Sequence, residues 1–239
     1  MGGRDFYVGS KPTKLGAALG ERGQRGIVAD LQRDYRIRSL LEIGTGKGRV
    51  ARACRDFGVE YVGIDCSADV VAQAQAEGFR MILAAVPPLP DLGGFRPDVV
   101  VSIDTLSNLA SHEQAQAFVA GAASCLEPGG LFLLMAPDLR FAKWSFWDPD
   151  LTRAFPTTRR RLGRLLHEAG FDIVQSTYRL DGIGRPWCDL IYHVTKLVPY
   201  RILDALTGRF LKRDLALYPS VWETIHHKAL GAYVLGRKR

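Results

Sequence analysis

The stretch that decides the fold is Leu40-Leu41-Glu42-Ile43-Gly44-Thr45-Gly46-Lys47-Gly48-Arg49-Val50. An aliphatic segment runs into glycines at three alternate positions, and a helical pattern follows. Gly44 permits a tight turn, Gly46 lets a ligand lie against bare backbone, and Gly48 lets the helix start close to the strand. The stretch therefore predicts a strand, a ligand-binding loop and a helix in that order.

The spacing of the glycines disfavours a dinucleotide as the ligand. A dinucleotide fingerprint reads GxGxxG and needs a third glycine at position 49, where Arg49 stands. The GxGxG loop suits a ligand without phosphate, such as adenosine joined to an amino acid. Asp65 ends the second predicted strand, at about the distance where an acidic side chain binds ribose hydroxyls. The alternative for Asp65 is a helix-start residue that interacts with the helix dipole.

Beyond this loop, short aliphatic segments alternate with helical patterns, which is typical of a parallel sheet with crossover helices. The stretch Leu131–Ala136 has no polar alternation, and this places it in the middle of the sheet with both faces covered. The predicted fold is α/β, Rossmann-like and doubly wound, with a mostly parallel seven-stranded sheet and an insert before the last strand. The predicted strands are Ser39–Ile43, Glu60–Ile64, Arg80–Ala84, Asp98–Ile103, Leu131–Ala136, Phe171–Tyr178 and Ala232–Leu235.

Polar residues ahead of helical patterns mark the predicted helix starts. The predicted caps are Ser67, then Ser111 in a capping box with Gln114, and then Thr157 or Thr158. Three regions follow from the whole pattern. Residues 1–38 form an N-terminal helical cap, residues 39–179 and 229–239 form the cofactor-binding domain, and residues 180–228 form an insert.

Composition and charge are those of a globular protein with an excess of basic residues. The 239 residues carry a formal net charge of +7, with the basic residues scattered rather than in one long run. A scattered excess is typical of a solvated surface, although it also suits an anionic partner. The four cysteines fit no zinc spacing, and no metal site is predicted. The first residues lack the apolar core of a signal peptide, so we expect a cytoplasmic protein.

With these features in place, the chain resembles the class I S-adenosylmethionine-dependent methyltransferases, over about residues 40–178. It looks closest to the small-molecule group that includes the ubiquinone-biosynthesis-like enzymes. Glu42–Gly48 looks like the family's first motif, and Asp104–Leu109 resembles the stretch usually written D-x-L-x-H-L. Leu126–Gly130 matches the L-x-P-G-G turn, and Leu165–Phe171 matches the LL-x-x-AGF entry to the sixth strand.

The resemblance implies S-adenosylmethionine as the cofactor and a set of residues that bind it. Glu42 would help to hold the methionine end, the glycines would pass beneath the cofactor, and Asp65 matches the ribose-binding acid. The family often has an acid after the third strand, near the adenine; here Ala85 and Val86 stand there, so backbone groups would contact the adenine. The implied cofactor-binding residues are Glu42, Gly44, Thr45, Gly46, Gly48, Asp65, Cys66, Ala85, Val86, Ile103 and Asp104.

The acceptor side is predicted beyond the carboxyl ends of the fourth and fifth strands, where open parallel sheets bind ligands. Asn108 stands where the family commonly has histidine, and it is an acceptor-binding candidate together with Trp144 and Trp147. The aromatic stretch Phe141–Trp147 is either a wall for the acceptor or a loop that its own aromatic side chains pin to the core. The catalytic candidates are His193, His226 and His227, since a histidine beside the insert could act as a base.

The insert has three interpretations. It is a lid over the acceptor pocket, a plain cover for the sheet, or a membrane-surface helix for a lipid-like acceptor, in which case the protein makes peripheral membrane contact. The overall prediction is methyl transfer from S-adenosylmethionine to a small-molecule acceptor. The alternatives are a methyltransferase acting on RNA or protein, or a non-catalytic cofactor-binding module. Nucleic acid is disfavoured because Ile103-Asp104-Thr105-Leu106 lacks the (N/D/S)PP(Y/F/W) motif of amino-methylating nucleic-acid enzymes.

Overall fold

The computed structural model describes residues 14–142, 146–147, 153–179 and 231–239. The strands are β1 (Ser39–Ile43), β2 (Glu60–Asp65), β3 (Arg80–Leu83), β4 (Val99–Ile103), β5 (Leu131–Pro137), β6 (Phe171–Arg179) and β7 (Gly231–Lys238). The helices are α1 (Lys14–Tyr35), α2 (Arg49–Phe57), α3 (Ala68–Ala76), α4 (His112–Ser124), α5 (Leu139–Ala142) and α6 (Arg159–Glu168), with a short 3₁₀ helix at Leu106–Asn108.

The seven strands form one sheet in the order β3-β2-β1-β4-β5-β7-β6. The strands β1 to β5 pair in parallel, whereas β7 runs antiparallel between β5 and β6. The chain leaves β1 towards one edge through β2 and β3, and then returns to place β4 on the other side of β1. The predicted doubly wound, mostly parallel sheet is therefore confirmed. Ligands bind at such a reversal point, beyond the carboxyl ends of the strands.

Two apolar layers cover the sheet. Alternate side chains of β1 point to opposite faces, so Leu41 packs towards α4 and α6 while Leu40 packs towards α1 and α2. All seven positions of β5 are buried, as expected for a central strand without polar alternation. Fully burying an aliphatic or aromatic side chain contributes roughly 1.5–3 kcal/mol, so these two layers hold the helices against the two faces of the sheet.

The helix starts follow the predicted caps, with one correction. The side chains of Ser67 and Thr158 accept hydrogen bonds from the backbone N–H three residues on, and Thr157 does not cap. Ser111 caps α4 by accepting from the N–H of Gln114. The capping box itself is incomplete, because the Gln114 side chain accepts from the N–H of Ala110 instead of that of Ser111.

The division at residue 38 stays a prediction, but α1 shares a core with the sheet. Ile27, Val28 and Leu31 are buried in the layer that also contains Leu40 of β1. The predicted insert, residues 180–228, lies outside the described residues. Within the described part of the chain, no helix is long and apolar enough to span a membrane.

Candidate cofactor site at the carboxyl edge of the sheet

The loop after β1 adopts the left-handed backbone that its glycines allow. The φ angles of Gly44, Gly46 and Gly48 are 85°, 52° and 65°. Gly44 also has a steric requirement that the sequence alone did not reveal. A Cβ added there would lie 1.8 Å from the Thr105 hydroxyl oxygen, which itself donates to the Ile43 carbonyl at 3.0 Å. The turn after β4 therefore presses directly against the turn after β1.

Asp65 connects the glycine loop to the start of α3. One carboxylate oxygen accepts from the N–H of Gly46 at 3.1 Å, and the other accepts from the N–H of Ser67 at 2.9 Å. Asp65 therefore lies at a helix start and also against the glycine loop, and its role in ribose binding stays a prediction. Each carboxylate oxygen retains a further lone pair, which leaves capacity to accept from two ribose hydroxyls.

A buried polar group lies beneath the loop. The Tyr61 hydroxyl donates to a carboxyl oxygen of Glu42 at 2.6 Å and lies 3.2 Å from the Thr45 hydroxyl. Glu42 is only 2% exposed. Burial, and to a lesser extent the nearby charge of Asp65, raises the pKa of Glu42 to about 8 against the opposing effect of the hydrogen bond from Tyr61. Tyr61 was not among the predicted site residues, because an isolated tyrosine in a strand gives no local signal.

The other predicted cofactor residues lie along the same edge of the sheet. Cys66 follows Asp65 with an exposed thiol, and Ala85 is exposed just after β3. The N–H of Ala84 donates to the Asp65 carbonyl at 3.0 Å and so holds the end of β3 against β2. Ile103 ends β4 beside the glycine loop, and Val86 is partly buried against the core. The structure thus brings residues from four segments to the carboxyl edge of the sheet.

Asp104 has an unusual backbone for a residue with a side chain. Its φ angle is 62°, and its N–H donates to the Met135 carbonyl at 2.9 Å. Strained backbone of this kind costs of order 1–3 kcal/mol and concentrates at functional sites. Part of the side chain is open to solvent. The surrounding protein desolvates the carboxyl and raises its pKa above the usual value, although the positive charge of Arg153 acts in the opposite direction.

The acceptor-side candidates are only partly within the described residues. Asn108 is exposed at the end of the 3₁₀ helix, and Trp147 is 38% exposed. Phe146 is fully buried and makes an edge contact with Trp147, with ring centroids 5.1 Å apart. The Phe146 ring therefore lies inside the protein, between Trp147 and the Arg153 guanidinium, whereas Trp147 is partly exposed. Trp144, His193, His226 and His227 lie outside the described residues.

A second polar cluster, which the sequence did not predict, lies at the end of β5. Asp138 is 1% exposed and accepts from the backbone N–H groups of Arg140 and Arg159, which begin α5 and α6. The Arg140 guanidinium and the Tyr178 hydroxyl also contact its carboxylate. Burial acts to raise the pKa of Asp138, but these hydrogen bonds and the Arg140 charge outweigh it and hold the pKa below its usual value. Asp138 therefore joins two helices to the carboxyl ends of β5 and β6.

Two cavities in the described part of the chain lie away from the glycine loop. One, of about 250 Å³, is lined by the segment Leu89–Arg96 and by Ser124 and Cys125. The other, of about 770 Å³, lies at the amino-terminal edge of the sheet, beside Tyr35–Arg38 and Glu127–Leu131. No cluster of side chains suited to a metal ion occurs in the described ranges.

The comparisons with known proteins agree with this geometry. Residues 10–176 match a family described as methyltransferase domain. A curated relative from Mycolicibacterium smegmatis, named as an S-adenosylmethionine-dependent methyltransferase, is 31% identical over 154 residues, which are 62% of this chain and 57% of the relative. The chain thus matches little more than half of that relative's length.

Two solved structures share the fold at low sequence identity. A methyltransferase in complex with the Haloferax volcanii Trm112 methyltransferase activator has a TM-score of 0.63 at 15% identity, covering 92% of each chain. An S-adenosylmethionine-dependent methyltransferase from Archaeoglobus fulgidus has a TM-score of 0.57 at 18% identity, covering 91% of this chain and 96% of that one. Taken with the glycine loop and the family match, these findings show that the chain belongs to the class I S-adenosylmethionine-dependent methyltransferase family.

Proposed function

We propose that the protein transfers the methyl group of S-adenosylmethionine to a small-molecule acceptor. The observation that carries the proposal is the contact of Asp65 with Gly46. A ribose-binding acid is already hydrogen-bonded to the bare loop over which the cofactor would lie. The residues present also suit the cofactor's charge, since its sulfonium and ammonium are cationic, and the carboxyl groups of Glu42 and Asp65 lie beneath and beside the glycine loop.

Each part of the cleft has a separate binding role in this proposal. Asp65 accepts hydrogen bonds from the ribose hydroxyls, Glu42 accepts from the methionine ammonium, and the exposed backbone at Ala85 contacts the adenine. The bound cofactor supplies a methyl group on a strongly activated leaving group. The protein's contribution is then mainly to hold the acceptor in line with that methyl carbon, which converts a bimolecular reaction into an effectively unimolecular one.

The acceptor side begins at Asp104 and Asn108. Both are exposed just beyond β4, next to the turn that contacts Gly44. Trp147, which is partly exposed, is a further apolar surface that the acceptor could contact. The absence of an (N/D/S)PP(Y/F/W) motif after β4 favours a small molecule over a nucleic-acid base as the acceptor. Asp104, whose carboxyl has a raised pKa, is a candidate base for a hydroxyl acceptor.

Two measurements test the proposal. Calorimetry should detect S-adenosylhomocysteine binding at micromolar concentrations, together with a rise in melting temperature, because a ligand that binds only the folded state stabilises it. NAD should produce neither effect. The protein should also transfer a labelled methyl group from S-adenosylmethionine to a low-molecular-weight extract, but not to purified RNA or protein fractions. Label in the RNA or protein fraction alone would replace the small-molecule proposal with the corresponding alternative.

A further inference from the structure

We propose that Tyr61 is a positioning residue that holds the Glu42 carboxylate for the cofactor's ammonium group, and that cofactor binding expels a proton from Glu42. The inference rests on the proposed cofactor site, and it extends that site to a residue that never touches the cofactor. Three side chains carry it: Thr45 in the loop, Tyr61 on β2 and Glu42 on β1.

The direction of the hydrogen bonds follows from the number of protons available. Tyr61 has a single hydroxyl proton, which goes to the carboxyl oxygen of Glu42 at 2.6 Å. The Thr45 hydroxyl, 3.2 Å from the Tyr61 oxygen, must then be the donor in that second contact. A chain of donors therefore runs from the glycine loop through Tyr61 to Glu42. Donors aimed at a carboxyl group stabilise its ionised form.

The packing around Tyr61 shows that its hydroxyl occupies a confined position. A Cβ added to Gly63 would lie 2.6 Å from the Tyr61 hydroxyl oxygen and 2.7 Å from the Thr45 hydroxyl oxygen. The glycine in the middle of β2 thus leaves the space in which the two hydroxyls meet. Tyr61 is 8% exposed, and burial beside Glu42 raises its pKa well above the usual value, so it remains a donor at every relevant pH.

The nearest charged group opposes the ionisation of Glu42, because Asp65 at the end of β2 adds negative charge. Cys54 of α2 is the other titratable neighbour; burial and the carboxyl of Glu42 raise the pKa of its thiol, so the thiol stays neutral. Among the described residues, the Tyr61 hydroxyl is the one side-chain donor to this carboxyl. The cofactor's ammonium is therefore the cation whose arrival favours the carboxylate, and a group with a pKa of about 8 then releases a proton at neutral pH.

The test compares two ligands that differ only at the methionine end. S-adenosylhomocysteine carries the ammonium, whereas 5′-methylthioadenosine shares the adenosine and the thioether but lacks the amino acid. The ratio of their dissociation constants cancels the contribution of the Asp65 contact, which both ligands make through the ribose. Between about pH 5.5 and 7.5, where the ligand's ammonium stays protonated, the preference for S-adenosylhomocysteine should rise towards tenfold per pH unit.

Calorimetry in buffers of different ionisation enthalpy gives an independent reading. Near pH 6.5, binding of S-adenosylhomocysteine should release about one proton, and binding of 5′-methylthioadenosine should release none. Tyr61→Phe should weaken S-adenosylhomocysteine binding at pH 7.5 by about tenfold or more, the scale of a hydrogen bond to a charged group, and leave 5′-methylthioadenosine within about twofold. Tyr35→Phe, at the far end of α1, is the matched control and should change neither.

The outcomes separate this inference from the proposed function. If the wild-type protein binds neither ligand, the proposed function fails. If it binds both with the same pH dependence, or if Tyr61→Phe weakens both equally, the Tyr61 inference is overturned while the proposed function stands. Should Tyr61→Phe fail to fold, Glu42→Gln is the deciding variant. It should abolish the proton release on S-adenosylhomocysteine binding and flatten the pH dependence of the ratio of the two dissociation constants. An unchanged pH dependence of that ratio would overturn the inference.

Discussion

Asp65→Ala offers the most direct test of the cofactor site, because the structure gives the carboxylate two separate tasks. The substitution removes the acceptors proposed for the ribose hydroxyls and also releases the Gly46 N–H from its 3.1 Å contact. Hydrogen bonds to a charged group contribute roughly 1.5–3 kcal/mol each, but Asp65 is partly exposed and water replaces part of that loss. We expect S-adenosylhomocysteine binding to weaken by about 2–3 kcal/mol, or about 30- to 150-fold.

The assay is calorimetric titration of the purified variant, with thermal unfolding measured in parallel. Asp69→Ala is the matched control, because Asp69 is an exposed acid in the first turn of α3 and its replacement also removes one negative charge. It should bind S-adenosylhomocysteine as the wild type does. The fold of Asp65→Ala should survive, since the Ser67 N–H that loses its acceptor lies near the surface. A dissociation constant unchanged from that of the wild type would remove Asp65 from the ribose site.

Three further predictions concern the frame around the site. Gly44→Ala should lower the free energy of unfolding measured by chemical denaturation, because a Cβ would lie 1.8 Å from the Thr105 hydroxyl oxygen. Combining it with Thr105→Gly should recover only part of this loss, because the φ angle of 85° remains unfavourable for alanine. Asp138→Asn should lower unfolding free energy by about 1–3 kcal/mol at pH 7. Because the folded-state pKa of Asp138 lies below its usual value, the difference in unfolding free energy between the variant and the wild type should shrink as the pH falls through the acidic range. A difference that does not change with pH would contradict this role of Asp138. Replacing Ile183–Thr224 by a short Gly/Ser linker should spare S-adenosylhomocysteine binding and abolish turnover, and persistent turnover would exclude a lid.

The sequence predicts the frame of this protein because local patterns determine it. The apolar stretch Leu131–Ala136 predicts a central strand, and β5 is buried throughout. Ser67 predicts the start of a helix, and its side chain caps α3. The contacts that shape the site were not predictable in this way. Thr105 touches the β1 turn across about sixty residues, and Tyr61 and Asp138 meet partners on other strands. Such contacts depend on which strands become neighbours in the sheet. The local sequence pattern around one residue does not indicate which distant residue it will contact.

The position of β7 has a consequence for biosynthesis. Of the seven strands it is translated last, about fifty residues after β6, yet it lies between β5 and β6 and supplies the strand pairing of β6. At roughly 5–20 residues per second, a ribosome spends several seconds between the two strands. During that interval β5 presents an open backbone edge and β6 has no strand to join among those already made. The nascent protein therefore passes through an incomplete sheet, in which the backbone groups along the edge of β5 stay unpaired until Gly231–Lys238 emerges and closes the gap.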